Sequence, residues 1–253
     1  SVSKYYNLSS NGKLNLNFEI MGGGTKWYRP SKSSTYYINQ DKNNSSSNAD
    51  IAIINSILKA NSSDIDFSHF DSDNNGMVDA VVIVPTIKIG NPDESILQWA
   101  YRYWDSTDNT YGDNYCINDY LWCPYDFLYE TDSGYDNGTT PTNTYTFTHE
   151  FGHVLGAEDY YDASYTDKDV LLNGDDIMDS YFGDQNPYTK FNYGWLTSSK
   201  LITATDTVTL DLNAFENGGD TYIIANNWDA TLGCYQEYWV MMYYTKSGIN
   251  ASS

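Results

Sequence analysis

The chain has 253 residues and a net charge of −21, from 34 acidic against 13 basic side chains. So acidic a surface repels phosphate backbones and anionic lipid, which argues against nucleic acid and membranes as partners. With 40% hydrophobic residues, including 7 Trp, 25 Tyr and 9 Phe, the chain can bury a sizeable core. That composition suits one large domain, or one domain with a smaller appendage, rather than disorder.

The first predicted element is Lys13 to Ile20, where Leu14, Leu16 and Phe18 alternate with polar residues as in a half-buried strand. Gly22-Gly23-Gly24 breaks it. Thr25 to Tyr28 then reads as a second strand ended by Pro30, and Tyr36-Tyr37-Ile38 as a third short piece. Asp50 to Ala60 spaces its isoleucines and Leu58 at helical intervals, predicting a buried amphipathic helix.

Asp71 to Gly76 comes next as D-x-D-x-N-G, with oxygen-bearing side chains at alternate positions and a glycine for the sharp turn of a Ca²⁺ loop. Asp71, Asp73, Asn75 and Asp79 are its candidate ligands. The twelfth position is Val82 rather than the EF-hand glutamate, so an acidic turn leading into a strand is the competing reading. Ala80 to Val84 is a continuous apolar run, predicted to be a strand covered on both faces, with Leu97 to Trp104 as its aromatic neighbour. Residues 105 to 140 are polar and weakly periodic, as in a long loop that is functional or held by ions. Leu201 to Leu212, Asp220 to Ala225 and Tyr235 to Tyr244 predict a β-rich tail over residues 201–253, expected to open a further domain of a longer protein.

Between these parts lies His149-Glu150-Phe151-Gly152-His153. Residues four apart share a helix face, so both imidazoles can reach one Zn²⁺ while Glu150 stands beside the water the metal would carry. Phe147, Phe151 and Val154 fall nearly opposite the histidines, so the helix can bury one side and turn the other to a cleft. Two histidines need a third protein ligand. The next glutamates after Glu158 are Glu216 and Glu237, outside the local unit, which removes the architecture that draws a glutamate from a second helix. The other architecture turns the chain at a glycine after the helix. Gly156 stands at that turn and Asp159 at the third-ligand position, with Glu158 and Asp162 as rivals. That architecture also has a methionine turn, and Asp176-Ile177-Met178-Asp179-Ser180-Tyr181 is its candidate here. Tyr181 is a candidate donor to a developing oxyanion.

HEFGHVLGAEDYYD from His149, DFSHFDSDNNGMVDAVVIV from Asp66 and DIMDSYFG from Asp176 together resemble the immune inhibitor A family of secreted metallopeptidases (family M6), within the metzincin group. The opening SVSKYYNLSSNGKLNL and Gly194-Trp195-Leu196 echo it more weakly. The resemblance spans roughly residues 1 to 200. It implies an α+β catalytic domain over 1–200, with a twisted mixed sheet, a backing helix, an active-site helix and a Met-turn. It implies zinc on His149, His153 and Asp159, Glu150 as base, structural calcium, and an exported endopeptidase acting on extracellular proteins or peptides. A monomer at the cell surface or outside it is expected, its signal peptide and pro-segment lying outside this fragment. Ala157-Glu158 departs from the family, which has proline there.

The alternative is a cell-surface binding module whose metal site is catalytically vestigial. Glu150 argues against it, because a purely structural site has no use for that base. The cysteines inform little: Cys116 and Cys123 would close a small loop if oxidised, leaving Cys234 free, and reduced thiols fit as well. No apolar stretch is long enough to span a bilayer.

Overall fold

The computed structural model describes residues 1–43, 48–105, 110–111, 114–117, 119–131, 134–135, 142–161, 176–179, 183–196, 199–203, 207–215, 219 and 221–252. It is a mixed α+β protein with few helices and small mixed sheets. Two compact units emerge: Glu19–Gly156, and Ser1–Phe18 together with Ala157–Ser253. These cuts fall after Phe18 and Gly156, whereas the sequence pattern suggests a boundary at residue 200.

In the unit Glu19–Gly156, helices α2 (Ser34–Asn43) and α3 (Ala49–Ala60) precede the sheets. Strand β1 (Met77–Val78) runs parallel to β5 (Tyr115–Ile117), and β2 (Val81–Ile83) parallel to β6 (Asp119–Trp122). Both pairs share one offset, Met77 opposite Cys116 and Val81 opposite Tyr120, in two three-stranded sheets. Antiparallel strands flank these pairs, β3 (Tyr101–Trp104) on β6 and β4 (Thr110–Tyr111) on β5, with β3 at an edge. A short hairpin, β7 (Glu130–Thr131) and β8 (Gly134–Tyr135), precedes α4 (Tyr145–Val154).

Helix α3 is buried on two sides, which explains its all-round run of isoleucine. Ile51, Ile54 and Leu58 pack with Phe67, Val78, Tyr111, Ile117 and Tyr120. Ala49 and Ile53 pack with Tyr37, Ile87, Leu97 and Trp122. Asp50, in the first turn, is buried as well. One of its oxygens accepts from the hydroxyls of Tyr101 at 2.8 Å and Tyr120 at 2.6 Å, tying the helix to both β3 and β6. Burial away from water and the adjacent Asp50 charge push both phenols far above their ordinary range, so they stay protonated donors.

In the other unit, α1 (Val2–Ser9) buries Val2, Tyr5, Tyr6 and Ser9. Its Tyr5 hydroxyl donates to the Gly183 carbonyl at 2.9 Å. Helix α5 (Pro187–Asn192) is capped by the Asn186 side chain, which accepts from the Thr189 N–H. Strand β9 (Ser199–Ile202) pairs parallel with β10 (Thr221–Ile224), which pairs antiparallel with β11 (Trp239–Met241).

Several expected elements differ. Residues 14–20 form no strand, and Ile20 is 68% exposed. Alternation supplies a one-sided apolar strip, but a strand also needs a partner, and among the described residues this segment pairs with no sheet. Thr25 to Tyr28 is likewise outside any strand, with Trp27 67% exposed. Tyr36 to Ile38 lies inside α2, because Tyr37 buries against α3 as a helical side chain. The strand Val81–Ile83 is half-buried along its length rather than fully covered. Leu97 belongs to a 3-10 turn, and only Tyr101–Trp104 of the predicted aromatic stretch is strand. Among the described residues of Leu201 to Leu212, only Leu201 and Ile202 join a strand. None of the three cysteines is in a disulfide.

Replacing Asp50 by Ala strands two buried hydroxyls, and is expected to destabilise the protein by on the order of 3 kcal/mol, against about 1 kcal/mol for Tyr101→Phe. Urea denaturation of both variants measures the difference.

Candidate metal centre

Thr144 opens α4 without a side-chain cap, and the neighbouring Asn143 supplies one, its Oδ1 accepting from the Tyr145 N–H at 2.8 Å. The Asn143 N–H in turn donates to the Leu128 carbonyl at 2.8 Å, anchoring the helix start. The helix packs on β3, β6 and the 3-10 turn Tyr125–Tyr129. Phe151 is buried as the apolar stripe requires, but so are His149 and Glu150, while His153 is half-buried. The two imidazole rings lie 5.0 Å apart, nearly perpendicular.

The helix closes through Leu155 N–H on the Phe151 carbonyl and Gly156 N–H on the His153 carbonyl. Gly156 then takes φ +93, a left-handed conformation that carries a steric cost for any residue with a Cβ. The chain turns there as expected. Along this continuous segment His149, His153 and Asp159 each offer one ligand atom, all within 4.8 Å of one another. Donors about 2.1 Å from a tetrahedral zinc stand roughly 3.4 Å apart, so modest side-chain rotation fits this set to the ion. Two neutral nitrogens and one carboxylate are also a suitable donor set for it. Glu158 is exposed and does not join the group; Asp162 and Tyr181 lie outside the described residues.

The residue after Asp159 is held firmly. The Tyr160 N–H donates to the Met178 carbonyl at 2.8 Å, and its hydroxyl shares a hydrogen bond with Thr189 at 2.7 Å. Met178 is buried completely within Asp176-Ile177-Met178-Asp179. The buried Asp176 carboxylate organises that turn, accepting from the N–H groups of Met178 at 2.6 Å and Asn186 at 2.5 Å and from the Asn186 amide at 2.8 Å. Burial pushes its pKa up from 3.8 to about 6, aided by the nearby Asp184 charge and opposed by those hydrogen bonds. Asn143 caps the helix as the polar run before it leads one to expect, whereas the role of Asp176 as the buried acceptor of the methionine turn was not legible in the sequence. Asn186-Pro187, a cap followed by proline at the first helical position, was the signal that places α5 and its partners.

The second acidic group forms as well: Asp71, Asp73 and Asp79 bring carboxylate oxygens within 4.8 Å of one another. Asn74 and Gly76 take positive φ, and the Asp71 carboxylate accepts from the N–H groups of Asn75 and Gly76, both at 2.9 Å. Asn75 acts here as a turn residue. Its oxygen accepts from the Met77 N–H at 2.8 Å, and its amide donates to Asp73 at 3.0 Å.

A comparison with models of known protein families found no match, and a comparison with curated proteins found none either.

Nothing lies within 4 Å of a Cβ built at Gly156, so Gly156→Ala carries mainly the backbone cost of about 1–3 kcal/mol. Isothermal titration is expected to show weakened zinc binding in that variant, because the turn relaxes. For Asp176, the folded state holds the proton more tightly than the unfolded chain between pH 3.8 and about 6. Its contribution therefore favours folding below that window and is lost as pH rises through it. Relative to Asp176→Asn, wild-type stability is expected to fall by up to about 3 kcal/mol across the window, read from denaturation at each pH.

Proposed function

We propose that the protein is a zinc-dependent endopeptidase of the metzincin type, resembling the immune inhibitor A family, that hydrolyses extracellular proteins or peptides. The observation that carries this reading is the set His149, His153 and Asp159, gathered by the turn at Gly156 with Glu150 on the same helix. These three side chains would hold the zinc. When bound, the ion supplies Lewis acidity, which lowers the pKa of a water and polarises a carbonyl. Glu150 takes the proton from the attacking water on its carboxylate and passes it to the nitrogen of the leaving amine. The buried setting of Glu150 strengthens its hydrogen bonds by excluding competing solvent.

Strand β3 supports the same reading. Among the described residues it lies at a sheet edge, packs beside α4, and leaves Tyr103 and Trp104 half exposed, so that edge can receive an extended peptide through main-chain hydrogen bonds. A structural calcium on Asp71, Asp73, Asn75 and Asp79 completes the proposal, supported by the three gathered carboxylates, whose oxygens are of the kind calcium prefers. Among the described residues no helix is long and apolar enough to cross a membrane.

Glu150→Gln is expected to retain one zinc per chain by elemental analysis while losing at least about 10²-fold in casein cleavage. Wild-type cleavage by that variant, or cleavage unaffected by a chelator, rejects the proposal. Calcium alone with no cleavage points instead to a metal-stabilised binding module. Added calcium is expected to raise the Tm of the wild type and leave that of Asp71→Ala unchanged.

A further inference from the structure

The unit Ser1–Phe18 with Ala157–Ser253 contains a buried amine that the proposed chemistry does not use. Lys190, on α5, is 2% exposed and its Nζ lies 2.5 Å from Oδ2 of Asp184, itself 3% exposed. The other Asp184 oxygen is fixed by the Ser9 hydroxyl at 2.6 Å and the Gln185 N–H at 2.9 Å. That clamp holds the carboxyl with one oxygen turned to the amine. The Phe215 ring covers the amine at 4.6 Å. A second buried carboxyl stands close by. Consecutive main-chain N–H groups serve the two acids, Gln185 on Asp184 and Asn186 on Asp176.

We propose that Lys190 Nζ and the Asp184 carboxyl condense into an intramolecular amide, a covalent staple between α5 and the segment that leads into it. Ion pairs removed from water carry a large desolvation cost, and amide formation abolishes both charges. Holding the reacting groups in contact replaces a bimolecular encounter by a step within one folded unit. The bond that forms is Nζ–Cγ and the bond that breaks is Cγ–Oδ2. Two of the three ammonium protons leave with Oδ2 as water, and the third stays on the amide. The proton passes from the ammonium to Oδ2 across their direct 2.5 Å contact. No oxidant or cofactor is required.

Intact mass spectrometry of the denatured, metal-free full chain tests this. The wild type is expected to weigh less than its sequence by one water. Its tryptic digest is expected to contain Asp169–Lys200 uncut after Lys190, because trypsin does not cleave at an acylated lysine. Asp184→Asn is expected to lose one ammonia instead of water, since the same amine displaces the amide nitrogen. Lys190→Met is expected to keep its full sequence mass. A wild-type mass equal to the sequence mass, with cleavage after Lys190, overturns the proposal and leaves an ion pair only. The measurement needs neither zinc nor turnover, so its outcome is independent of the peptidase reading.

Discussion

The left-handed turn at Gly156 is the constraint on which the candidate centre depends. A helix can present His149 and His153 on one face by spacing alone, but it continues away from any ion they share. With no glutamate from a second helix at hand, a reversal directly after the helix is what returns a third side chain here, and Gly156 takes positive φ at that reversal. Glycine adopts it without the clash that a Cβ would bring. The helix sets the spacing of His149 and His153, and the turn at Gly156 leads the chain on to Asp159, the third member of the group.

Around the turn, the molecule repeatedly uses buried carboxylates as fixed hydrogen-bond acceptors. Asp50 gathers two tyrosine hydroxyls, Asp176 gathers the N–H groups of Met178 and Asn186, and Asp184 gathers Ser9, Gln185 and Lys190. Each joins separate segments of the chain, which apolar packing alone orients less specifically. Burial of these acids thus gives part of the strong negative charge a structural role. Asp71, Asp73 and Asp79 differ in kind, because Asp73 and Asp79 are exposed and lie together in a turn.

Legibility in the sequence tracked the range of the interactions. Helix α3 was readable because its isoleucines repeat within a dozen residues, and α4 because two histidines four apart are a local pattern. Gly156 and Asp159 were readable for the same reason. Residues 14–20 misled because alternation describes one strand, whereas pairing is decided by a second. Tyr37 misled because its aromatic, β-prone neighbourhood was overruled by burial against α3. The long polar stretch after residue 105 holds short strands whose register is set by their partners Met77–Val78 and Val81–Ile83, not by its own composition.

By itself, then, the sequence determined the helix with its two histidines and glutamate, the glycine after it, the aspartate beyond that and the acidic turn at Asp71. All depend on contacts between residues only a few positions apart. The tertiary structure alone decided that the chain's opening is a helix docked through Tyr5 and Ser9, and that Asp50 spans two strands. It also decided that the Asp176 carboxylate holds the Met178 turn and that Lys190 meets Asp184 out of water. Those pairings arise from burial, which depends on where the whole chain folds back and leaves no periodic trace in the segments it joins.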